Sequence, residues 1–266
     1  MSFTGFWQAT HPQKLISVET PKDFGWEAED VELVTSDGLK LSAWFVPSKN
    51  PTDAAIVLLH GYPADKGNLL PWATFLKDSY NLFFFDFRYF GRSAGSYTSL
   101  GFEERKDVLA AVEFLEKRGI EKIGLMGFSF GASVALLTLP ETGNVATVVA
   151  DSAFANLDLM GKTYYGNLLI LQKPLTFLTK FWGRLIYQID ADKIVPEKAV
   201  KDSQTPIFII ANRNDNLIKV ENAEKLANAL KNNKNAKIWI YDGGVHGEIG
   251  GAEYNQKILE FFSKNL

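Results

Sequence analysis

The chain of 266 residues contains no cysteine and three histidines. The absence of cysteine excludes disulfide bonds, thiolate metal sites and a cysteine nucleophile. The scarcity of histidine restricts any imidazole base to His11, His60 or His246. Thiol–disulfide redox chemistry is therefore outside what this sequence can perform.

An excess of charge and a long apolar run are also lacking. The 28 Lys and Arg against 31 Asp and Glu give a net charge of −3, and the scattered basic residues form no footprint for nucleic acid or an anionic membrane. No apolar run reaches the roughly 18 residues that a membrane-spanning helix needs, and the N-terminal sequence lacks the features of a signal peptide. We therefore expect a cytoplasmic protein with a small-molecule partner.

The overall composition is that of an ordinary globular protein. Hydrophobic residues make up 46% of the chain and charged residues 22%, which argues against a disordered or fibrous protein. The length lies within the range of one large α/β domain. Residues 1–266 are accordingly predicted to form a single domain.

The first half of the chain carries clear strand patterns. Residues 31–47 predict two short strands joined by Asp37 and Gly38, which are typical of a two-residue hairpin turn. Residues 54–60 and 81–87 are continuous apolar runs that end in polar residues. Such runs indicate central, parallel strands that are covered on both faces.

Helical and strand patterns alternate along the rest of the chain. Residues 103–119 repeat apolar side chains at helical spacing and end at Gly119, a natural helix cap. Further strands and amphipathic helices follow in turn to the C-terminus. This alternation implies right-handed crossovers. The predicted fold class is α/β, with a mostly parallel sheet and helices on both faces.

One stretch, residues 154–200, interrupts the alternation. It is helical in character, rich in aromatic residues and broken by glycine and proline. We expect an inserted helical cap at the carboxyl edge of the sheet, where open α/β sheets bind ligands. Within it, Tyr164, Tyr165 and Trp182 are candidates to line a substrate pocket, and packing of the cap on the core is the alternative for each.

The residues from Gly127 to Gly131 read Gly-Phe-Ser-Phe-Gly and lie between a predicted strand and a predicted helix. This context is what the nucleophile-elbow motif G-x-S-x-G requires. Side chains at the two glycine positions would collide in so sharp a turn, and the strained backbone would lift the Ser129 hydroxyl above the sheet. The alternative is a strained but inert turn.

With this elbow, the sequence resembles the α/β-hydrolase family over nearly its whole length. Two further motifs carry the resemblance: the turn His60-Gly61-Tyr62-Pro63, and residues 86–96, which read Asp-x-Arg-x-x-Gly-x-Ser-x-Gly. The chain is most similar to the capped esterase, monoacylglycerol lipase and serine aminopeptidase-like branch. The resemblance implies an eight-stranded, mostly parallel sheet and a reaction that needs no metal and no other cofactor.

A serine nucleophile needs a base, usually a histidine that a carboxylate orients. His11 lies in an N-terminal segment that we predict to be irregular, and a hydrogen bond to the neighbouring loop accounts for His60. His246, in the loop after the last strand, is therefore the expected base. By resemblance, Asp215 is the acid, because it follows the seventh strand as the family acid does.

The resemblance also implies an oxyanion hole made by the backbone N–H groups of Tyr62 and Phe130. The Tyr62 phenol either adds a hydroxyl near the oxyanion or forms a wall of the pocket. The N-terminal aromatic residues Phe3, Phe6 and Trp7 are expected to pack on the surface or to contact a partner.

These residues predict a serine hydrolase that cleaves small to medium-chain or aromatic carboxylic esters through an acyl-enzyme. The alternatives are an aminopeptidase or a thioesterase with the same triad and, from a different class, a non-catalytic binding module. An aminopeptidase would need acidic groups in the cap to hold a free amine, and Asp158, Asp190 and Asp192 are the candidates.

Overall fold

The strands lie where the apolar runs predict them. A computed structural model describes residues 2–248 and 250–266, apart from the Leu169 side chain. Across those residues eight strands form one sheet in the order β1-β2-β4-β3-β5-β6-β7-β8. The strands are β1 (Glu29–Val34), β2 (Lys40–Val46), β3 (Ala54–Leu59), β4 (Asn81–Phe85), β5 (Lys122–Phe128), β6 (Val145–Asp151), β7 (Ile207–Asn212) and β8 (Lys237–Tyr241).

Strands β3 to β8 run parallel to one another, whereas β2 pairs antiparallel with both β1 and β4. The α-helices of the described chain are α1 (Ser2–Thr10), α2 (Leu70–Ala73), α3 (Glu104–Lys117), α4 (Phe130–Thr138), α5 (Leu157–Tyr165), α6 (Gln172–Tyr187), α7 (Pro196–Ala199), α8 (Glu221–Ala229) and α9 (Ala252–Asn265). The mostly parallel, eight-stranded α/β fold predicted from the sequence is confirmed.

The sheet is buried on both faces, which explains its uninterrupted apolar strands. One face packs on α3, α4 and α8, with Val108 and Leu226 fully buried there. The other face packs on α2 and α9, with Trp72 and Phe262 among its buried residues. Since all six residues of β3 are buried, this strand has no solvent-facing side on which polar residues would alternate.

The first hairpin forms, but its turn is longer than predicted. The Thr35 N–H donates to the Leu39 carbonyl at 2.9 Å, and the Gly38 N–H donates to the Thr35 carbonyl at 2.8 Å. Gly38 has φ 82°, the left-handed conformation that glycine adopts without strain. The turn therefore has three residues, from Ser36 to Gly38, and the two-residue expectation was wrong.

The N-terminal segment is a helix, so the expectation of irregular structure there was also wrong. Helix α1 packs against α6, where the Phe3 and Trp182 rings meet edge to face at 5.5 Å. Phe6 is 1% exposed and lies 5.7 Å from the Tyr187 ring. Phe6 is thus a core residue and not the surface contact that the sequence suggested, although Phe3 and Trp7 remain partly exposed.

Residues 154–200 form two longer helices, α5 and α6, between β6 and β7. The two helices approach closely: a Cβ at Gly161 on α5 would lie 2.6 Å from Thr176 Cγ2 on α6.

Over the residues described, no helix has both the length and the apolarity to cross a bilayer. The single-domain boundary and the cap boundaries stay predictions.

Candidate active site

Ser129 lies in a sharp turn between β5 and α4, and its backbone has φ 53° and ψ −111°. The two flanking glycines allow this turn. A Cβ at Gly127 would lie 2.5 Å from the Ala132 nitrogen, and one at Gly131 would lie 2.7 Å from the His60 carbonyl oxygen. Because both obstacles are backbone atoms, no side-chain movement can relieve them, and the elbow requires glycine at both positions.

Hydrogen bonds from the neighbouring strand and helix hold the strained turn in place. The Ser129 N–H donates to the Asp151 carbonyl at the end of β6, at 2.8 Å. The Ser133 hydroxyl donates to the Ser129 carbonyl at 3.1 Å and accepts the Phe154 N–H at 2.8 Å. These bonds offset part of the backbone strain at Ser129.

The side chains of Ser129, His246 and Asp215 form a continuous hydrogen-bonded row. His246 Nε2 lies 3.0 Å from Ser129 Oγ, and His246 Nδ1 lies 2.6 Å from Asp215 Oδ2. With its proton on Nδ1, the imidazole donates to Asp215 and accepts the serine O–H. The structure therefore brings together the three residues that the sequence proposed, from three separate loops of the chain.

Asp215 is held as a carboxylate at the end of this row. Burial alone would raise its pKa, but the hydrogen bonds from His246, Ile218 and Leu217 outweigh burial and lower the pKa of Asp215. The Leu217 and Ile218 N–H groups donate to Oδ1 at 2.8 and 2.7 Å. Oδ2 is left to orient the histidine.

Three asparagines, which the sequence analysis did not identify, position the histidine loop. The Asn216 side chain accepts the His246 N–H at 3.3 Å. Asn214 Nδ2 donates to the Gly243 carbonyl at 2.7 Å, and Asn212 Oδ1 accepts the Gly243 N–H at 3.0 Å. The loops that carry the acid and the base are therefore bonded to each other.

The two backbone N–H groups that are predicted to form the oxyanion hole are not used in hydrogen bonds within the described part of the protein. In the described part of the chain, the backbone N–H groups of Tyr62 and Phe130 donate to no protein acceptor. Phe130 is the first residue of α4, so its N–H also lies at the positive end of the helix dipole. These two N–H groups are available for a negatively charged substrate oxygen.

The Tyr62 phenol has another partner. Its hydroxyl donates to the carbonyls of Gln8 and Ala9 at 3.2 and 3.1 Å. Because both carbonyls belong to α1, the phenol anchors this helix beside the site. The structure therefore supports the wall role for this side chain over a role at the oxyanion.

His60 has a structural role next to the oxyanion turn. Its Nε2 accepts the Phe87 N–H at 3.0 Å, and its Nδ1–H donates to the Gly61 carbonyl at 2.8 Å. Burial lowers the pKa of His60, so the ring stays neutral and keeps this pairing. This is the hydrogen bond to the neighbouring loop that the sequence predicted.

A buried carboxyl group, Asp151, lies one strand away from the elbow. It accepts hydrogen bonds from the Tyr254 hydroxyl at 2.7 Å and the Ser152 hydroxyl at 3.0 Å. Burial raises the pKa of Asp151 to about 6 although both hydrogen bonds oppose the shift.

Across residues 2–248 and 250–266, no group of three His, Asp or Glu side chains is gathered as metal ligands would be.

Ser129 opens onto a cavity of about 300 Å³, which we call the main cavity. Tyr164 and Tyr165 line this cavity, as predicted for pocket residues, but Trp182 packs against α1 instead. Helix α1 also supplies Gly5, Phe6 and Ala9 to the wall, a contribution that the sequence did not indicate. The rest of the wall is mostly apolar, including Leu100, Phe154, Leu157, Met160, Ile194, Leu217 and Ile218.

Comparisons with known proteins agree with this fold. The family described as "alpha/beta hydrolase fold" matches residues 54–181, and the dienelactone hydrolase family matches residues 163–256. A solved esterase of Pyrococcus furiosus is 31% identical with a TM-score of 0.80, covering 96% of this chain and 98% of its own.

Two further proteins are more distant. The uncharacterized protein YfhR of Escherichia coli K12 is 25% identical over 252 residues, which are 91% of this chain and 82% of that protein. An acylaminoacyl peptidase of Pyrococcus horikoshii is 19% identical with a TM-score of 0.68, covering 91% of this chain and 42% of its own, and it shares the fold alone. The chain belongs to the α/β-hydrolase family and is a hydrolase.

Proposed function

We propose that the protein is a serine esterase that cleaves small to medium-chain or aromatic carboxylic esters through an acyl-enzyme. One observation carries the proposal: the hydrogen-bonded row of Ser129, His246 and Asp215 stands at the wall of an apolar cavity. The similar P. furiosus protein is named an esterase, which supports the same reaction class.

The geometry accounts for both halves of the reaction. Ser129 Oγ attacks the ester carbonyl carbon while His246 Nε2 accepts the hydroxyl proton. The Tyr62 and Phe130 N–H groups stabilise the negative oxygen of the tetrahedral intermediate. The bond to the alcohol oxygen then breaks, and His246 returns its proton to the departing alcohol.

Water completes the cycle by the same route. His246 accepts a proton from water, whose oxygen attacks the acyl carbon, and the proton returns to Ser129 Oγ as the carboxylic acid leaves. Asp215 keeps the imidazole in the tautomer that this cycle requires and stabilises its charged form.

The size and lining of the main cavity support the substrate class. Its volume of about 300 Å³ is at the lower end of the range for ligand sites. The apolar wall favours an apolar acyl or alcohol group, because burial of each methylene contributes about 0.8 kcal/mol. These properties fit a short or medium chain or a single aromatic ring.

The aminopeptidase alternative lacks a group to bind the amine. Among the described residues that line the main cavity, none is acidic. Asp158 and Asp192 are 71% and 81% exposed, and both pair with Lys180. Asp190 lies 3.9 Å from Lys193. The three candidate carboxylates are thus on the outer side of the insertion, away from Ser129.

The test compares three classes of substrate on the wild type and on Ser129→Ala. We expect turnover of p-nitrophenyl butyrate, weaker turnover of the matching thioester, and no measurable turnover of an aminoacyl p-nitroanilide. Ser129→Ala should lose all activity above background. Measurable turnover of the anilide, or an active Ser129→Ala variant, would refute the proposal.

A further inference from the structure

The main cavity has one charged residue in its wall. Among the described residues that line it, Lys180 alone carries a full charge. A lysine can cover apolar surface with its four methylenes when its ammonium group reaches a polar environment. The position of this ammonium group therefore decides whether Lys180 presents a charge or a hydrocarbon stem to the cavity.

The ammonium group is held on the outside of the insertion. Lys180 Nζ lies 2.7 Å from Asp158 Oδ1 and 3.5 Å from Asp192 Oδ1. The Lys180 side chain is 23% exposed, whereas both carboxylate side chains are more than 70% exposed. The charge is thus directed toward solvent by its two partners, and the largely covered stem is left for the wall.

A second cavity lies on the other side of this wall. This side cavity of about 590 Å³ shares Thr176, Lys180, Ile189 and Ala191 with the main cavity. Its remaining wall includes several charged side chains, among them Asp158, Lys173, Arg184, Asp190 and Asp192. The two cavities therefore adjoin each other at these four residues.

From this arrangement we propose that the stem of Lys180 closes the far end of the main cavity and sets the longest ester chain that the enzyme accepts. The inference rests on the proposed esterase function and deepens it by assigning the residue that limits chain length.

The proposal has a quantitative consequence for a series of esters. Each methylene that enters the main cavity should raise kcat/KM about fourfold, the fold-change that corresponds to burial of one methylene. Once the chain meets the Lys180 stem, further methylenes remain in water and kcat/KM stops rising. Removal of the stem joins the two cavities and shifts this plateau to longer chains.

The experiment measures kcat/KM for p-nitrophenyl esters from acetate to myristate and for alkyl butyrates of increasing alcohol length. Four proteins are compared: wild type, Lys180→Ala, Lys180→Met and Lys173→Ala. We expect Lys180→Ala to raise the ratio of long-chain to short-chain kcat/KM by about tenfold or more in at least one series. Lys180→Met, which keeps an apolar stem, should stay within about twofold of wild type.

Lys173→Ala is the matched control, because Lys173 lies on the same helix and lines the side cavity but not the main cavity. Its profile should equal that of the wild type. If Lys180→Ala fails to fold, Ile189→Ala opens the same wall from a different segment and should show the same shift.

The proposal would be overturned if the chain length at which kcat/KM stops rising were unchanged in folded Lys180→Ala or Ile189→Ala. It would also be overturned if Lys180→Met shifted this chain length as much as Lys180→Ala does, because the effect would then come from the charge of Lys180. A wild-type protein that hydrolyses no ester would instead refute the proposed function. The two failures are therefore distinguishable.

Discussion

An added methyl group at Gly131 tests how closely the elbow and the oxyanion turn depend on each other. A Cβ at this position would lie 2.5 Å from the Leu59 carbonyl carbon and 2.7 Å from the His60 carbonyl oxygen. Both atoms belong to the end of β3 and the turn that follows it. Because neither can move as a side chain would, β3 and α4 must separate by about 1 Å in Gly131→Ala.

This displacement should reduce both stability and activity. Overpacking of this kind typically lowers the free energy of unfolding by about 1–3 kcal/mol. The same shift moves the Tyr62 N–H away from the Phe130 N–H, and a misplacement of about 1 Å near reacting atoms reduces the rate by about a hundredfold. We therefore expect kcat/KM for p-nitrophenyl butyrate to fall by about two orders of magnitude at a temperature where the variant is folded.

The assay pairs urea unfolding with steady-state kinetics on wild type, Gly131→Ala and Gly143→Ala. The last variant is the control, because a Cβ at Gly143 would meet no atom within 4 Å, and its stability should stay within about 0.5 kcal/mol of wild type. A Gly131→Ala variant with wild-type stability and activity would refute the reasoning. Loss of stability with full activity would show that the oxyanion turn does not depend on the elbow.

Three further substitutions test other parts of the site. Asp215→Asn should keep the fold by circular dichroism and lower kcat by about 10³–10⁴-fold, because the imidazole loses the partner that fixes its tautomer; full activity would reassign the acid. Tyr62→Phe loses the hydrogen bond that the phenol O–H shares between two carbonyls of α1, so urea unfolding should show a loss of about 1 kcal/mol with less than a tenfold change in kcat, and a larger rate loss would place the phenol in the reaction. Folding raises the pKa of Asp151 from 3.8 to about 6, so the folded protein holds this proton more tightly than the unfolded chain does. The free energy of unfolding of the wild type should therefore fall by up to about 3 kcal/mol, relative to that of Asp151→Asn, as the pH rises from 4 to 7. Parallel plots of unfolding free energy against pH for the two proteins would contradict this.

Much of the sheet could be predicted from the sequence because its strands are buried on both faces. The apolar runs of β3 and β4 are short and end in polar residues, as is typical of central strands covered on both faces. The elbow was equally clear, since a serine bracketed by Gly127 and Gly131 between a strand and a helix is rare outside a sharp turn. The loops after β7 and β8 could then be assigned by their order along the chain.

Helix α1 could not be predicted because its sequence is a poor helix former. It contains Gly5, two threonines and three aromatic residues within nine positions, and such residues lower helix propensity. The helix forms because Phe6 is buried beside α6 and the Tyr62 phenol binds the carbonyls at its end. Both contacts join residues far apart in the sequence, so no local pattern indicates them.

The role proposed for Lys180 could not be predicted either, because it also depends on contacts between residues far apart in the sequence. Nothing in the sequence distinguishes Lys180 from Lys173 on the same helix, and only the folded insertion brings its side chain to the wall of the main cavity. For Trp182 the prediction was wrong. Its position in the aromatic insertion suggested a pocket residue, but in the structure its ring packs against Phe3 on α1. Both outcomes depend on how α1, α5 and α6 pack together.

The central claim is that the Ser129 hydroxyl is a nucleophile activated by His246. The most direct test is treatment of the wild type and of Ser129→Ala with a fluorophosphonate, followed by mass spectrometry of the digested protein. The account predicts one phosphonyl group on the wild type, located on Ser129, and none on the variant. A wild type that takes no label, or a label on any other residue, would contradict it.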